Sequence, residues 1–557
     1  MKPPQLSTRT VKELRKDLLE RRFAVPKLQR NFVWDARRAA KLIDSVYRNM
    51  PIGSLFLWEM DRKSANLIRQ SADVLPSFNV TNPLIWFVID GQQRLSVIFQ
   101  AFEGQTRQND AGSTIDFGRI CFVVHPDADD PDAPRVVYRK PQGNDFVSVR
   151  DILASDWRTR MPTQTLWFLK KIRECRDRLL TYPVPLVTVT KASLDEIGEI
   201  FIRVNSQGMR ISSADRAIAL MGELDVRAMA QEIRQRVRDE VFALGGIEPI
   251  LMGFNLVAER PKPDGDPPKL EAMARRWSKK IDGHDDEKSA FRKLWHTYQT
   301  AFLSAVDYIH HRFPVHDESY LPSANMLATL SVFFFHHRGQ PNGSQAREIR
   351  KWFWATGVAQ RYSGRGYHRN IVADAQFFEG LARGARKTFI FHDYLDPQAD
   401  ILNAEYASHS ARTRAFFCLL ATRSPLYLEN GEPIPLDGSA VSHTNRLDRH
   451  HIFPKAQMRG HFPARTYDSL PNICFLVARD NTSIGAKLPY RYLAEKQAES
   501  RSRFRRVMRS HLVPVGPGAG VWERGIVRAF KRFREERLAI ICTEFEKQAG
   551  TKLFRKP

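Results

Sequence analysis

Acidic residues are scarce relative to basic ones. In 557 residues, 62 Asp and Glu face 86 Lys and Arg, giving a formal charge of +24 and a pI near 9.9. Such a surplus raises the encounter rate with polyanions and supports binding by counterion release. Nucleic acid is the first partner class this suggests, and an anionic membrane surface the second. Cysteine is also sparse: Cys121, Cys175, Cys418, Cys474 and Cys542 are odd in number and form no C-x-x-C pair. That argues against a disulfide framework or a structural zinc knot and fits a reducing cytoplasm. The longest apolar runs, such as the one around Leu330 to Phe335, are too short to span a bilayer. The N-terminal stretch MKPPQLSTRTVKELRKDLLE has no apolar segment of the kind that marks a signal peptide. A soluble, cytoplasmic protein without a membrane partner is expected.

What is present argues for packed domains. Hydrophobic residues make up 43% and aromatics 11%, too many for a disordered chain, and the length suits two to four domains. Ser7 or Thr8 is positioned to cap a first helix reaching about Glu20, followed by an extended piece, Phe23 to Arg30. Ala36 to Asn49 carries helical spacing, with Leu42, Ile43 and Val46 on one face. Pro51-Ile52-Gly53 breaks that pattern before a strand at Ser54 to Trp58. Leu84 to Ile89 (LIWFVI) reads as a buried strand, followed by Asp90-Gly91-Gln92-Gln93-Arg94 and a helix through Phe102. Gly, Asp and Pro clusters between Gly104 and Asn144 suggest a hairpin. Leu186 to Val189 reads as a strand, and Asp195 to Val204 and Ala214 to Leu220 as helices. From Ala228 to Phe417 the pattern is mainly helical, and Arg501 to Lys547 is helical and dense in arginine.

The C-terminal third holds the sharpest constellation. Arg449-His450-His451-Ile452-Phe453-Pro454 is followed by Asn472 in Leu470-Pro471-Asn472-Ile473-Cys474 and by Asn481 in Arg479-Asp480-Asn481. Hydrolysis of a phosphodiester needs a base that titrates near neutrality, which imidazole supplies, and a cation to neutralise charge on the phosphate. The segment from Leu447 to Tyr490 resembles the HNH nuclease superfamily, in its branch with a His-x-x-Pro core, here His451 and Pro454. The resemblance implies a β-hairpin followed by a helix around one metal. It makes His451 the general base, His450 and Asn481 the metal ligands, and Asn472 the residue that holds the loop carrying His451. Imidazole at position 450 departs from the commoner acidic ligand and opens the metal preference beyond magnesium. Mg2+ or Mn2+ is expected, with Zn2+ or Ni2+ behind them. A zinc-binding or merely decorative histidine pair is the competing interpretation. His443 and His461 read as ordinary surface residues. Lys487 and Arg491 are candidates for phosphate contacts or for solvated surface charge in equal measure.

A second constellation lies at a strand-to-helix junction. At Asp90-Gly91-Gln92-Gln93-Arg94, glycine permits a tight turn, the helix start offers N–H groups to an anion, and Arg94 adds a fork suited to phosphate. A structural Asp90–Arg94 ion pair is the alternative. The junction belongs to an ordered series: Gln29-Arg30 with Trp34, Pro51-Ile52-Gly53 before Leu57-Trp58, Asp90 to Leu95, and Phe201 to Asn205 with Gly208. Over Ser7 to Leu220 this series resembles the N-terminal domain of GmrSD-like modification-dependent (type IV) restriction enzymes, with a ParB/sulfiredoxin-like fold. The resemblance implies nucleotide binding and hydrolysis at Asp90, Gly91, Gln92, Gln93 and Arg94, with Gln29 and Arg30 beside them and Asn205 closing the pocket. It also implies that this domain regulates cutting and senses modified DNA. Trp34 and Trp58 read as core. Gln29 is as well explained by a buried structural hydrogen bond.

In the middle, Trp352 and Trp354 read as core, Arg361 and Tyr362 are candidates for gripping nucleic acid, and Phe333 to His337 reads as a buried helix end. Arg501, Arg503, Arg505, Arg506 and Arg509, with Arg528, Lys531, Arg532 and Arg534 beyond, suggest a DNA-facing surface. The expectation is an α+β multi-domain chain. It comprises a ParB/sulfiredoxin-like α/β domain over 1–225, a helical connector over 226–425, and a ββα-metal HNH domain with a basic helical tail over 426–557. The implied function is a metal-dependent DNA endonuclease of anti-phage defence. It would cut modified double-stranded DNA under the control of a nucleoside triphosphate, with homo-oligomerisation left open. The competing interpretation is a nucleotide-responsive DNA-binding regulator without nuclease activity.

Overall fold

The computed structural model describes residues 3–25, 32–61, 75, 83–108, 114–125, 130, 133–192, 196–197, 200, 213–221, 224–261, 269–282, 284–364, 366–391, 394–407, 409–436, 447–477 and 484–555. The chain forms two compact units: Met1–Ala228 with Leu270–His284, and Met229–Lys269 with Asp285–Pro557. It is a mixed α/β protein.

The first unit is built on a mixed five-stranded sheet. The strands of the unit are β1 (Gln5–Thr10), β2 (Phe23–Ala24), β3 (Leu55–Asp61), β4 (Leu84–Asp90), β5 (Thr106–Gln108), β6 (Thr114–Asp116), β7 (Ile120–Val123), β8 (Val136–Tyr138), β9 (Phe146–Ser148) and β10 (Pro183–Thr190). In the main sheet the order is β1-β10-β3-β4-β2, with β10 parallel to β3 and antiparallel to β1, and β4 antiparallel to β3 and parallel to β2. Smaller sheets pair β5 with β6, and β7 with both β8 and β9. The run Leu84 to Ile89 is apolar because β4 lies inside the sheet, where Ile85, Phe87, Val88 and Ile89 are buried.

The chain start differs from the helix expected there. Gln5–Thr10 pairs with β10, and the helix begins only at Val11. Its cap is Thr10, whose hydroxyl accepts the Glu13 N–H while the Glu13 carboxylate accepts the Thr10 N–H at 2.7 Å. This reciprocal pair outcompetes Ser7 and Thr8 because only Thr10 has a glutamate three residues on. The helix Ala36–Tyr47 is capped by Asp35 and buries Leu42, Ile43 and Val46. The helix Leu270–Ile281 packs on Ser213–Leu220, where Arg216 pairs with Glu271 at 2.6 Å.

Among the described residues, the second unit is helical apart from one hairpin. Helices Glu248–Glu259, Asp285–Arg312 and Asn325–His336 pack through Phe254, Phe291, Trp295 and Tyr298. The helix Gly343–Val358 buries Trp352, Phe353 and Trp354, as aromatic spacing suggests. The arginine-rich tail is not continuous. It forms Arg501–Ser510 and Ile526–Ala549, interrupted where Pro514, Gly516, Pro517 and Gly518 fall. Among the described residues, no helix is long and apolar enough to cross a membrane.

Candidate active site

The hairpin is β11 (Leu447–His451) antiparallel to β12 (Ile473–Val477), with His451 opposite Ile473 and His450 opposite Cys474. Past His451 the chain dives inward. Ile452 and Phe453 are buried, and Phe453 packs on Phe530 and Phe533 of the last long helix. Asn472 is fully buried: its Oδ1 accepts the Phe453 N–H at 2.8 Å, and its Nδ2 donates to the carbonyls of Phe453 and Tyr467. The Tyr492 hydroxyl donates to the Ile452 carbonyl at 3.0 Å.

A buried guanidinium completes the support. Arg537 has no accessible surface and donates to the carbonyls of Pro471, Ile473, His511 and Leu512. It balances its charge with carbonyl dipoles, and burial lowers its pKa to about 10. The backbone that leads into and out of the His451 loop is therefore fixed by Asn472, Tyr492 and Arg537. A functional side chain placed on such a frame loses little entropy when it acts.

The His451 ring is itself oriented. Its Nε2 lies 2.7 Å from Asp468 Oδ1, and the Lys455 ammonium lies 2.7 Å from the same oxygen. A carboxylate accepts, so Nε2 carries the proton and Nδ1 keeps the lone pair. Nδ1 has no hydrogen-bond partner among the described residues. Burial pushes the His451 pKa below its usual value; the hydrogen bond to Asp468 opposes this, and Lys455 adds to it. The outcome is an imidazole held neutral near pH 7 with one nitrogen free to take a proton. Sequence reading missed Asp468 and Lys455. Their only signals were an acidic residue four positions before Asn472 and a lysine directly after Pro454.

His450 belongs to β11, but its side chain lies outside the described residues, as does Asn481. Among the described residues, no group of three His, Cys, Asp or Glu side chains is placed to hold a metal.

In the first unit, the Asp90 junction forms at the end of β4. Gly91 adopts φ +90°, which opens the helix Gln92–Glu103 directly off the strand. Arg94 lies back over this turn: Nη2 meets Asp90 Oδ2 at 2.8 Å and Nη1 donates to the Ile52 carbonyl at 2.7 Å. Gly53 leaves the room, since a Cβ there would fall 2.4 Å from Arg94 Nη1. Pro51-Ile52-Gly53 and Asp90 to Arg94, distant in sequence, thus form one cluster. The ion pair left open by the sequence is made. Gln93 Oε1 accepts the N–H groups of Val33 and Trp34, and Gln92 is buried. Gln29, Arg30 and Asn205 lie outside the described residues.

Several surface candidates are corrected. Tyr362 is buried, and its hydroxyl donates to Asp374 at 2.7 Å; Arg361 pairs with the same carboxylate. Both brace the helical core and are not available to grip nucleic acid. Arg534 is buried against the Leu402 carbonyl and Asn403 Oδ1, which removes it from any DNA-facing surface. Arg528 and Arg532 are paired with Glu523, and Arg532 also with Glu536. Lys487 pairs with Glu495. By contrast, Arg501, Arg505 and Arg509 are exposed along one face of their helix and carry no ion pair among the described residues.

Residues 11–220 match the family model described as GmrSD restriction endonuclease, N-terminal domain. The match is confined to the N-terminal part of the chain. A relative across most of the chain is the uncharacterized protein MJ0686 of Methanocaldococcus jannaschii. It is 21% identical over 534 residues, covering 88% of this chain and 87% of the relative.

Proposed function

We propose that this chain is an HNH-type DNA endonuclease whose cutting base is His451, regulated by nucleotide binding in its N-terminal unit. One observation carries the reading: a neutral imidazole with one free nitrogen is held by Asp468 on a loop that Asn472 pins from inside. His451 Nδ1 takes a proton from water as it attacks the phosphorus, and Asp468 stabilises the imidazolium that forms. Lys455, ion-paired to Asp468, keeps the pair from becoming too basic.

By residue type alone, His450 and Asn481 would suit a divalent cation. His450 offers an imidazole and Asn481 an amide oxygen, a sparse neutral pair that leaves most positions to water and phosphate oxygens, as Mg2+ and Mn2+ prefer. When bound, such an ion neutralises charge on the phosphate and the departing 3′ oxygen. Zn2+ or Ni2+ would suit the imidazole but leave the amide a poor partner.

For the N-terminal unit, the resemblance to GmrSD-like enzymes implies nucleotide binding and hydrolysis at Asp90 to Arg94, with Gln29, Arg30 and Asn205 contributing. A phosphate arriving there would compete with Asp90 and the Ile52 carbonyl for Arg94, so binding would rearrange the turn. Substrate is modified foreign DNA, recognised in anti-phage defence. The chain divides functionally into a nucleotide-binding part over 1–225, a helical part over 226–425 and a nuclease part over 426–557. The test is a digestion panel of modified and unmodified plasmids with Mg2+ or Mn2+, with and without nucleoside triphosphate. Cutting confined to some modified substrates, and responsive to nucleotide, is expected. DNA binding without cutting across the whole panel would show a regulator instead.

A further inference from the structure

A second polar pocket lies in the first unit, at the far end of the helix that Asp90 to Arg94 opens. That helix spans Gln92–Glu103, about 18 Å at 1.5 Å per residue, so the two places are separate. The pocket encloses about 600 Å3, within the range of small-ligand sites. Three cations line it: Arg119, Lys140 and Arg150. All three are exposed, and none has a carboxylate partner among the described residues.

The two carboxylates in the lining are already engaged. Asp116 Oδ1 accepts the Gly118 N–H at 3.0 Å, and Asp151 Oδ1 pairs with Arg160 Nη1 at 3.3 Å. The cations are also shaped. Arg119 lies over the Tyr138 ring at 5.3 Å, and the Arg150 stem crosses Gly104, where a Cβ would fall 2.2 Å from Arg150 Cδ. Helix-end capping does not account for Arg150, because its guanidinium makes no hydrogen bond to the carbonyls of that helix among the described residues. Two guanidinium forks and an ammonium lining one concave surface suit a tetrahedral dianion better than a single carboxylate.

We propose that this pocket is a phosphate site, distinct from the Asp90 junction, with Arg119, Lys140 and Arg150 as its contacts. The phosphate comes either from a free nucleotide or from a DNA backbone. The site does not depend on the cutting mechanism, so its test is separate from that of His451.

The test uses full-length protein in an Arg94→Ala background, which removes the junction's own fork for phosphate. Inorganic pyrophosphate is titrated by calorimetry, and a short duplex is titrated by fluorescence anisotropy at fixed salt. The expected result is that Lys140→Gln with Arg150→Gln weakens pyrophosphate binding about tenfold or more. Arg119→Gln alone weakens it in the same direction. Both double-variant residues are exposed, and an unchanged melting temperature confirms that the fold is intact. Parallel loss of duplex affinity assigns the phosphate to DNA, whereas loss restricted to pyrophosphate assigns it to a nucleotide. Absence of pyrophosphate binding in the Arg94→Ala protein, or equal affinity in the double variant, overturns the proposal.

Discussion

The arginine-rich helix Arg501–Ser510 makes a quantitative prediction about DNA binding. Arg501, Arg505 and Arg509 recur every fourth residue, so their side chains rise about 6 Å per step along one face. They are exposed and carry no ion pair among the described residues, while Phe504, Val507 and Met508 of the same helix are buried in the same core as Ile452 and Phe453. Each arginine that neutralises a phosphate contributes about 0.9 to the slope of log K against log salt. Replacing all three by glutamine should therefore lower the magnitude of that slope by about 2.7. The assay is anisotropy of a labelled duplex at several salt concentrations, with the cutting site inactivated by His451→Ala. Arg528→Gln is the control: Arg528 is equally exposed to solvent but already paired with Glu523 at 2.6 Å, so its slope change should be near zero. A slope unchanged in the triple variant, or lowered as much by Arg528→Gln, refutes the assignment.

Other consequences concern the site and its frame. Asp468→Asn should cut the cleavage rate about a hundredfold or more by releasing the His451 tautomer. Because Asp468 raises and Lys455 lowers the His451 pKa, the acid limb of the rate profile should move down in Asp468→Asn and up in Lys455→Ala. Shifts of the same sign would contradict the arrangement. His511 is buried, its pKa depressed by burial from 6.5 to about 4. A depressed histidine is neutral when folded, so its contribution is present above pH 6.5 and is lost as pH falls towards 4. By linkage, urea unfolding at pH 4.5 should show roughly 2–3 kcal/mol less stability from this group than at pH 7, a difference absent in His511→Gln. Arg537→Met leaves four buried carbonyls without their donor, and should destabilise the second unit by about 3 kcal/mol or more, read by thermal melting.

What the sequence revealed followed the range of the interactions. Strand β4 was legible because burial on both faces makes a continuous apolar run, and Trp352 and Trp354 because aromatic spacing marks a packed helix. His451 was legible as a candidate because the histidine pair before Ile452, Phe453 and Pro454 is short and dense. Asp468 was not, since the bond to His451 spans 17 residues and depends on how the chain folds back between the hairpin strands. Strand β1 was hidden because its residues are polar and mostly exposed, and its identity comes from pairing with β10, far along the chain. Arg534 read as surface charge because an arginine bonded to carbonyls has no sequence signature distinct from a solvated one. The same limit applied at Arg361 and Tyr362, where the decisive partner, Asp374, lies a dozen residues away.

Supercoiled plasmid, incubated with Mn2+ and either the wild-type protein or His451→Ala, tests the central claim most directly. The account predicts nicking or linearisation by the wild type, and none by the variant although it binds DNA with unchanged affinity. Cleavage that persists at the wild-type rate in His451→Ala would show that the chemistry lies elsewhere in the chain.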